Sequence, residues 1–215
     1  MSRAATLEGL RLRTPRLELR LPRDDDLAEL YDAAMAGIHP PDEMPFGIAW
    51  TDGLGDPGRR QEFFDYHLQA LAGISPERWH LLFCASERGR PVGVQGVEAE
   101  RFADERRVDT GSWLTAAVHG RGLGTEMRAA VLELAFGHLG ARVAGSGAID
   151  GNVASRRVSD KLGYREVGRS TVAPRGVEVG HANLELTPEA WRSARSIPVE
   201  VDGITPDLLG MLGAG

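Results

Sequence analysis

Three glycines at alternate positions, Gly120, Gly122 and Gly124, form the stretch whose residue types best suit ligand binding. Glycine takes positive φ angles readily and has no Cβ, so the backbone of such a loop can come close to a bound group. A helical period begins at Thr125, and the unpaired N–H groups of a helix N-terminus attract anions. With Arg121 inside the loop, the sequence predicts a phosphate or pyrophosphate site; the alternative is a tight glycine turn without a ligand.

Two familiar nucleotide-binding motifs do not fit this loop. A P-loop needs Gly-Lys followed by Ser or Thr, which the loop does not contain. A dinucleotide fingerprint that starts at Gly122 needs a small residue where Met127 stands, and the acidic residue for the ribose is missing about twenty positions on, around Val143. A nucleotide-binding regulator therefore remains a hypothesis that rests on the glycines alone.

The segments on both sides of the loop must position it. Residues 108–118 are rich in β-branched and aromatic types and lack a helical period, which predicts a largely buried strand. After the loop, four apolar residues recur as on one face of a helix: Met127, Ala130, Val131 and Leu134. Three charged residues are expected to point away from that face: Glu126, Arg128 and Glu133.

The loop and a second motif together resemble the GNAT superfamily of N-acyltransferases. The stretch from His119 to Gly124 is similar to the family's coenzyme A loop, with His119 in place of the usual Arg or Gln. Asn152-Val-Ala-Ser155, followed by Leu162-Gly-Tyr164, resembles the ribosomal-protein acetyltransferase branch of RimJ and RimL type. The likeness covers residues 10–187, and the loop at residues 44–50 resembles an actinobacterial subgroup in which the choice of acyl donor is not uniform.

The resemblance implies the α/β (α+β) GNAT fold, with a mixed central sheet of about seven strands, splayed between the fourth and fifth, and about four helices. Residues 1–187 would form the acyltransferase domain. Residues 188–215 would form a C-terminal extension, which is too apolar to be disordered and is expected to pack on the body or on a second subunit, giving a possible homodimer.

The activity implied by the resemblance is direct transfer of an acyl group from a thioester to an amine in a ternary complex. The co-substrate would be acetyl-CoA, with succinyl-CoA as the alternative, and no metal is implied. The acceptor would be a protein N-terminus, a lysine or a small amine. A non-catalytic sensor or scaffold that binds coenzyme A is the hypothesis of a different class. The residues implied in coenzyme A binding are Leu114, Thr115, Ala116, Ala117, His119, Gly120, Arg121, Gly122, Leu123, Gly124, Thr125, Asn152 and Ser155.

The departing thiolate needs a proton or a hydrogen bond. Many family members have a tyrosine seven residues after the motif's Asn, and here that position is Ser159. In the ribosomal branch a serine three residues after the Asn is implied instead, which is Ser155. Asn152 and Ser155 could equally form a helix cap, because Asn is a favoured N-cap residue.

The base that deprotonates the amine is less sharply predicted. Glu98 and Asp109 fall on the two strands expected to flank the acceptor, and either could take a proton directly or through water. His39 and His80 are further candidates. The proline-rich segment at residues 38–50 predicts either a packed cover over the core or the wall of an acceptor pocket. The residues expected to line that pocket are His39, Met44, Phe46, Trp50 and Trp113.

Composition sets broader limits. A chain of 215 residues with 42% hydrophobic types can bury one core, and a net charge of −6 argues against a nucleic-acid binder. Cys84 lies in an apolar run, where a small buried hydrophobe is expected and a catalytic thiol is the alternative. Neither a signal-like segment nor an apolar run long enough for a membrane span is found, so a cytoplasmic protein without membrane partners is expected.

Overall fold

Nine strands form one mixed sheet in the computed structural model, which describes residues 3–215. The strands are β1 (Arg11–Arg13), β2 (Leu17–Arg20), β3 (Arg78–Glu87), β4 (Arg90–Glu100), β5 (Arg107–Leu114), β6 (Val143–Ile149), β7 (Arg165–Val172), β8 (Val179–Leu186) and β9 (Glu200–Asp202). The helices are α1 (Arg3–Gly9), α2 (Asp24–Met35), α3 (Arg59–Ala72), α4 (Phe102–Glu105), α5 (Leu123–Leu132), α6 (Val153–Leu162), α7 (Pro188–Ala194) and α8 (Pro206–Met211). The predicted fold class is confirmed, although short elements raise the counts above those predicted.

The sheet has the strand order β7-β8-β6-β5-β4-β3-β2-β1-β9. Its parallel pair among the described strands is β5 with β6, and this pair is joined only where residues 107–109 face residues 143–145. Beyond Asp109 and Gly145 the two strands continue without pairing to each other. A gap therefore opens between β5 and β6 at the position of the predicted splay. Glycine at position 145 suits this geometry, because a side chain there would collide with the Asp109 carboxylate.

Helices cover both faces of the sheet. Successive strand residues point to opposite faces, and on β3 Leu81 and Phe83 belong to the core beneath α5, whereas Leu82 and Cys84 belong to a second core beneath α2 and α3. Cys84 is completely buried, as predicted for a small hydrophobe. Burial raises the pKa of its thiol to about 12, so the thiol stays protonated at neutral pH.

Two sequence-based boundaries around the glycine loop are corrected. The strand predicted at residues 108–118 ends at Leu114, because the Thr115 and Ala116 amides bond to the Val92 and Gly37 carbonyl oxygens and the chain then makes a 3-10 turn, Ala116–Val118. The helix begins at Leu123 rather than at Thr125. It continues beyond Leu132 as a π-helical segment, Glu133–Leu139.

The prediction that the charged residues of this helix point away from the core is wrong. Glu126, Arg128 and Glu133 are 3%, 4% and 9% exposed. The helix is enclosed by the β1–β2 turn, the sheet and α6, so its polar side chains are buried and contact polar groups of neighbouring segments. Glu133, for example, lies 3.3 Å from the Arg195 guanidinium.

Residues 188–215 pack on the body of the chain. Strand β9 pairs antiparallel with β1 at the edge of the sheet. Leu208 and Leu212 are fully buried, and the Trp79 indole N–H donates to the Leu212 carbonyl oxygen over 2.9 Å. Trp191 of α7 is 2% exposed.

Candidate active site

The glycine loop presents backbone amides at the start of α5. Gly120 and Gly122 have φ angles of 74° and 81°, a region that favours glycine. The first bond of the helix runs from the Glu126 amide to the Gly122 carbonyl oxygen, 3.2 Å. The amides of residues 123–125 therefore have no partner within the helix, and together with the positive end of the helix dipole they favour an anion.

The side chains of the loop are already engaged within the protein. Arg121 pairs with Glu87 at 2.6 Å, and His119 Nε2 lies 2.9 Å from the Leu114 carbonyl oxygen. The loop is thus suited to hold a phosphate mainly through its backbone amides. The position of the loop depends on side-chain contacts that were not predicted from the sequence.

A buried carboxylate fixes the loop from the side. Glu126 accepts hydrogen bonds from the Thr14 hydroxyl (2.7 Å), the Arg16 amide (2.8 Å) and Arg16 Nε (2.7 Å). Arg16 also donates to the Arg121 carbonyl oxygen over 2.8 Å. The turn between β1 and β2 is therefore tied to both the loop and the first turn of α5.

One edge of β5 faces the gap. The Thr115 amide bonds to β4, and hydrogen-bonding positions alternate along an antiparallel ladder, so the backbone groups of Ser112 and Leu114 face away from β4. An extended ligand could form a ladder with them. Of the residues predicted to align the pantetheine arm, Leu114 lies on this edge, whereas Thr115 and Ala116 use their amides within the protein and Ala117 lies in the 3-10 turn.

The Asn152 side chain forms the N-cap of α6. Its Oδ1 accepts a hydrogen bond from the Ser155 amide over 3.0 Å, and its Nδ2 donates to the Pro45 carbonyl oxygen over 3.2 Å. Asn152 therefore acts as a helix cap, the alternative considered for it, and both its side-chain oxygen and its side-chain nitrogen form hydrogen bonds within the protein. Ser155 is half-buried on the first turn of the helix.

An arginine lies buried beneath the gap. Arg128 Nη1 donates to the hydroxyls of Ser146 on β6 (2.9 Å) and Ser159 on α6 (3.1 Å), and Nη2 lies 3.4 Å from the hydroxyl of Ser112 on β5. Burial lowers the pKa of Arg128. The guanidinium connects the two strands beyond the point where their backbone pairing stops.

On the opposite face, the one covered by α2 and α3, the sheet is left uncovered around Gly111, and we call this uncovered surface the cleft. Gly96 of β4 and Gly111 of β5 are cross-strand partners on that face. A Cβ built on Gly111 would meet nothing within 4 Å, so the floor of the sheet is open there. Strand β5 thus borders both the gap and the cleft.

Aromatic rings close one end of the cleft. Trp113 lies 5.7 Å from Trp50, Trp50 lies 5.4 Å from Phe46, and Phe46 lies 5.7 Å from His39, measured between ring centroids. Phe46, Trp50 and Trp113 also pack against the core beneath α2 and α3, so the loop is both a cover and a wall. The Met44 sulfur lies 4.0 Å from the Thr51 hydroxyl, which in turn lies 2.7 Å from His39 Nε2.

Titratable groups from three adjacent strands lie at the other end of the cleft. His80, Glu98 and Asp109 are direct cross-strand partners on β3, β4 and β5. Desolvation, with Asp109 nearby, raises the pKa of Glu98. Asp109 is bound by Arg107, with contacts of 3.1 and 3.2 Å. Burial lowers the pKa of His80 to about 4, so its imidazole is neutral at neutral pH.

Residues 16–165 match the family described as the acetyltransferase (GNAT) domain. The chain belongs to the GNAT acetyltransferase family. This membership makes it an acyltransferase, and acetyl-CoA is the donor that GNAT acetyltransferases use.

Solved GNAT structures share the fold at low sequence identity. RimJ of Mycobacterium smegmatis, in complex with CoA-disulfide, superposes with a TM-score of 0.70 at 18% identity, over 89% of this chain and 97% of that one. A ribosomal-protein-S5-alanine acetyltransferase from Vibrio fischeri superposes with a TM-score of 0.62 at 14% identity, over 84% of this chain and 98% of that one. A GCN5-related N-acetyltransferase from Brucella melitensis superposes with a TM-score of 0.64 at 20% identity, over 86% of this chain and 81% of that one.

The structure places the predicted residues in two groups. Residues 114–125 and Ser155 lie around the gap, while Glu98, Asp109 and the aromatic residues lie around the cleft. Sequence reasoning missed Ser112, Ser146, Arg16 and the inward direction of Arg128. The available signal for the inward direction of Arg128 was its place between Met127 and the apolar residues 129–132.

None of the helices within 3–215 is both long and apolar enough to cross a bilayer. The same part of the chain contains no group of three or more His, Cys, Asp and Glu residues that could hold a metal ion.

Proposed function

We propose that this GNAT protein transfers the acetyl group of acetyl-CoA to a primary amine by direct attack in a ternary complex. The observation that carries the proposal is the position of β5 between two sites. Its outer edge faces the gap, which suits the donor, and its surface at Gly111 is the floor of the cleft, which suits the acceptor.

The donor side has backbone groups for both parts of coenzyme A. The pyrophosphate would lie against the amides of the loop and of residues 123–125. The amide-rich pantetheine arm would pair with the edge of β5 at Ser112 and at the Leu114 N–H, since His119 already contacts the Leu114 carbonyl oxygen. The Ser112 N–H would then be available to the oxyanion that forms on the thioester carbonyl.

The acceptor side suits a group that arrives as an ammonium ion. The carboxylates of Glu98 and Asp109, at one end of the cleft, attract a cation. Glu98 is the better base of the two carboxylates, because its pKa is raised while Asp109 is bound by Arg107. Glu98 would take the proton of the amine, directly or through water.

A protein or peptide N-terminus is the acceptor that we propose. The cleft is open at Gly111, which leaves room for a chain end. One fold neighbour is a ribosomal-protein-S5-alanine acetyltransferase, and because alanine has no side-chain amine, this acceptor supports an N-terminal amine over a lysine or a small amine.

The test has a binding step and a turnover step. Thermal melting with CoA, acetyl-CoA, succinyl-CoA, NAD and Mg-ATP should show stabilisation by the coenzyme A compounds alone, about 2.7 kcal/mol at about one hundred times Kd. Peptides with free N-termini, the same peptides with blocked N-termini, lysine-containing peptides and small amines are then assayed with acetyl-CoA and with succinyl-CoA.

The outcomes separate the hypotheses. Acetylation of free but not blocked N-termini supports the proposal, and mass spectrometry locates the modified amine. Faster turnover with succinyl-CoA would replace the proposed donor. Stabilisation by CoA without turnover on any amine would favour a sensor, and stabilisation only by ATP or NAD would exclude the acyltransferase proposal.

A further inference from the structure

Arg128 is a buried cation without a counter-charge. It is 4% exposed, no ion pair joins it to a carboxylate of the described residues, and the titratable group that acts on it is the buried Tyr164 phenol. Its Nε is buried without a hydrogen-bond partner. Its remaining contacts are serine hydroxyls, which are neutral. Burial of an unpaired charge is costly, and proteins normally pair it with an opposite charge.

The position of the guanidinium links it to the gap. Ser112 and Ser146 lie on the two strands that separate, beyond their last paired residues, Asp109 and Gly145. Ser146 also donates to the Thr110 carbonyl oxygen over 3.4 Å, on the side of β5 that faces β6. The positive charge therefore lies at the base of the gap, behind a hydroxyl from each strand.

The Ser112 hydroxyl can transmit the electrostatic effect of this charge into the gap. Its oxygen accepts from Arg128, so its own O–H remains free to donate elsewhere. A hydroxyl that accepts from a cation is a stronger donor, because hydrogen bonds in series polarise one another. Ser112 and Ser146 are only half-buried, in contrast to Arg128 itself.

We propose that Arg128 is a positioning residue that stabilises the coenzyme A thiolate in this gap through the Ser112 hydroxyl. The inference rests on the proposed acyl transfer. When the amine nitrogen bonds to the acyl carbon, the carbon–sulfur bond breaks and sulfur keeps the electron pair. The acceptor ammonium releases one proton to solvent before it attacks, and the second proton that the nitrogen loses goes to Glu98. The Ser112 O–H donates to the thiolate, which later takes a proton from solvent.

This assignment also gives a role to the hydroxyl at position 159. Ser159 is fully buried, binds Arg128 and donates to the Ser155 carbonyl oxygen over 3.2 Å. It therefore holds the guanidinium from the α6 side instead of reaching the sulfur. Ser155 is the competing candidate for the thiolate, and the two serines can be separated experimentally.

The direct readout is the pKa of the thiol of bound CoA, followed by the ultraviolet absorbance of the thiolate during a pH titration of the complex. We expect this pKa to lie below that of free CoA. Arg128→Met should raise it by about 1, the lower end of the effect of a nearby opposite charge. Arg128→Lys keeps the charge and should fall between the two. Ser112→Ala should also raise the pKa, and Ser86→Ala, which removes a hydroxyl from β3, should leave it unchanged.

Several results would overturn the inference. One is an equal pKa of the bound thiol in the wild type and in folded Arg128→Met. Another is a change in this pKa in Ser155→Ala but not in Ser112→Ala. Should Arg128→Met not fold, Ser112→Ala and Arg128→Lys decide the question. If Arg128→Met weakens binding of succinyl-CoA alone, the cation serves an acyl carboxylate instead. Failure of the wild type to bind CoA would remove the proposed function as well, whereas binding with a normal thiol pKa removes only this inference.

Discussion

Glu98 and Asp109 lie directly opposite each other on β4 and β5, on the face of the sheet beneath α2 and α3. Both carboxylates border the cleft, but their surroundings differ. Asp109 has the Arg107 guanidinium beside it, while Glu98 has the neutral His80, with Nδ1 3.7 Å from Oε2. From this difference we propose separate roles, with Glu98 as the base and Asp109 as a group that raises the pKa of Glu98.

Replacing Glu98 tests the first role. We expect Glu98→Gln to lower kcat by about a hundredfold, the lower range for loss of a general base, with little change in the KM for acetyl-CoA. Glu100→Gln is the matched control, since Glu100 is the next residue on the same face of β4 and pairs with Arg78 at 3.6 Å. A loss of activity no larger in Glu98→Gln than in Glu100→Gln would exclude Glu98 as the base.

Replacing Asp109 tests the second role. The negative charge of Asp109 contributes to the raised pKa of Glu98, so Asp109→Asn should lower that pKa. A base is active when deprotonated, and activity rises with pH through its pKa. The acidic limb of the profile of kcat/KM against pH should therefore move to lower pH in Asp109→Asn. A limb that stays in place or moves upward contradicts the assignment.

The neutral state of His80 predicts how stability depends on pH. Its pKa is about 4 in the folded chain and about 6.5 when unfolded, so the unfolded chain binds more protons between these values. Stability should fall as the pH decreases from about 6.5 towards about 4. His67, whose pKa burial also lowers, acts in the same direction. His80→Gln should reduce the slope, as measured by urea unfolding at several pH values, and an unchanged slope would contradict the buried neutral state.

The two glycines around the start of α5 should respond differently to a methyl group. Gly122 has a φ angle of 81°, and a left-handed conformation costs a non-glycine residue about 1–2 kcal/mol. Gly124 lies within the helix, where a Cβ would meet the Val158 side chain at an ordinary 3.5 Å. Gly122→Ala should lower the melting temperature and weaken CoA binding, and Gly124→Ala should keep or raise the melting temperature. Equal destabilisation would contradict this account of the loop.

Local sequence motifs predicted the residues of the proposed donor side, but the sequence did not predict which residues lie opposite each other on neighbouring strands. The glycine loop and the helix after it could be predicted because their residues are consecutive. That Glu98 is flanked by both His80 and Asp109 depends on the register of β3, β4 and β5, which sequence periodicity does not determine. Asn152 matched a motif, yet its side chain caps α6.

Arg128 shows a different limit of sequence reasoning. A charged residue on an amphipathic pattern is assigned to solvent, because most such helices have one exposed face. Here the helix is enclosed, and the cost of burying the cation is visible only after the partners are known. A residue that breaks the local rule without a compensating charge is more often retained for function than for stability.

This interpretation predicts that replacing Arg128 lowers activity without lowering stability. Buried charged groups replaced by apolar residues of similar size often leave stability unchanged or raise it, and Arg128 lacks even a carboxylate to offset its burial. Arg128→Met should therefore unfold at the same or a higher urea concentration than the wild type, while its kcat falls about tenfold. Ser159→Ala serves as the control that keeps the charge but removes a hydrogen bond, and it should be less stable by about 1 kcal/mol. If Arg128→Met were instead less stable by several kcal/mol, the serine contacts would outweigh the cost of the buried charge, and Arg128 would be retained for the fold.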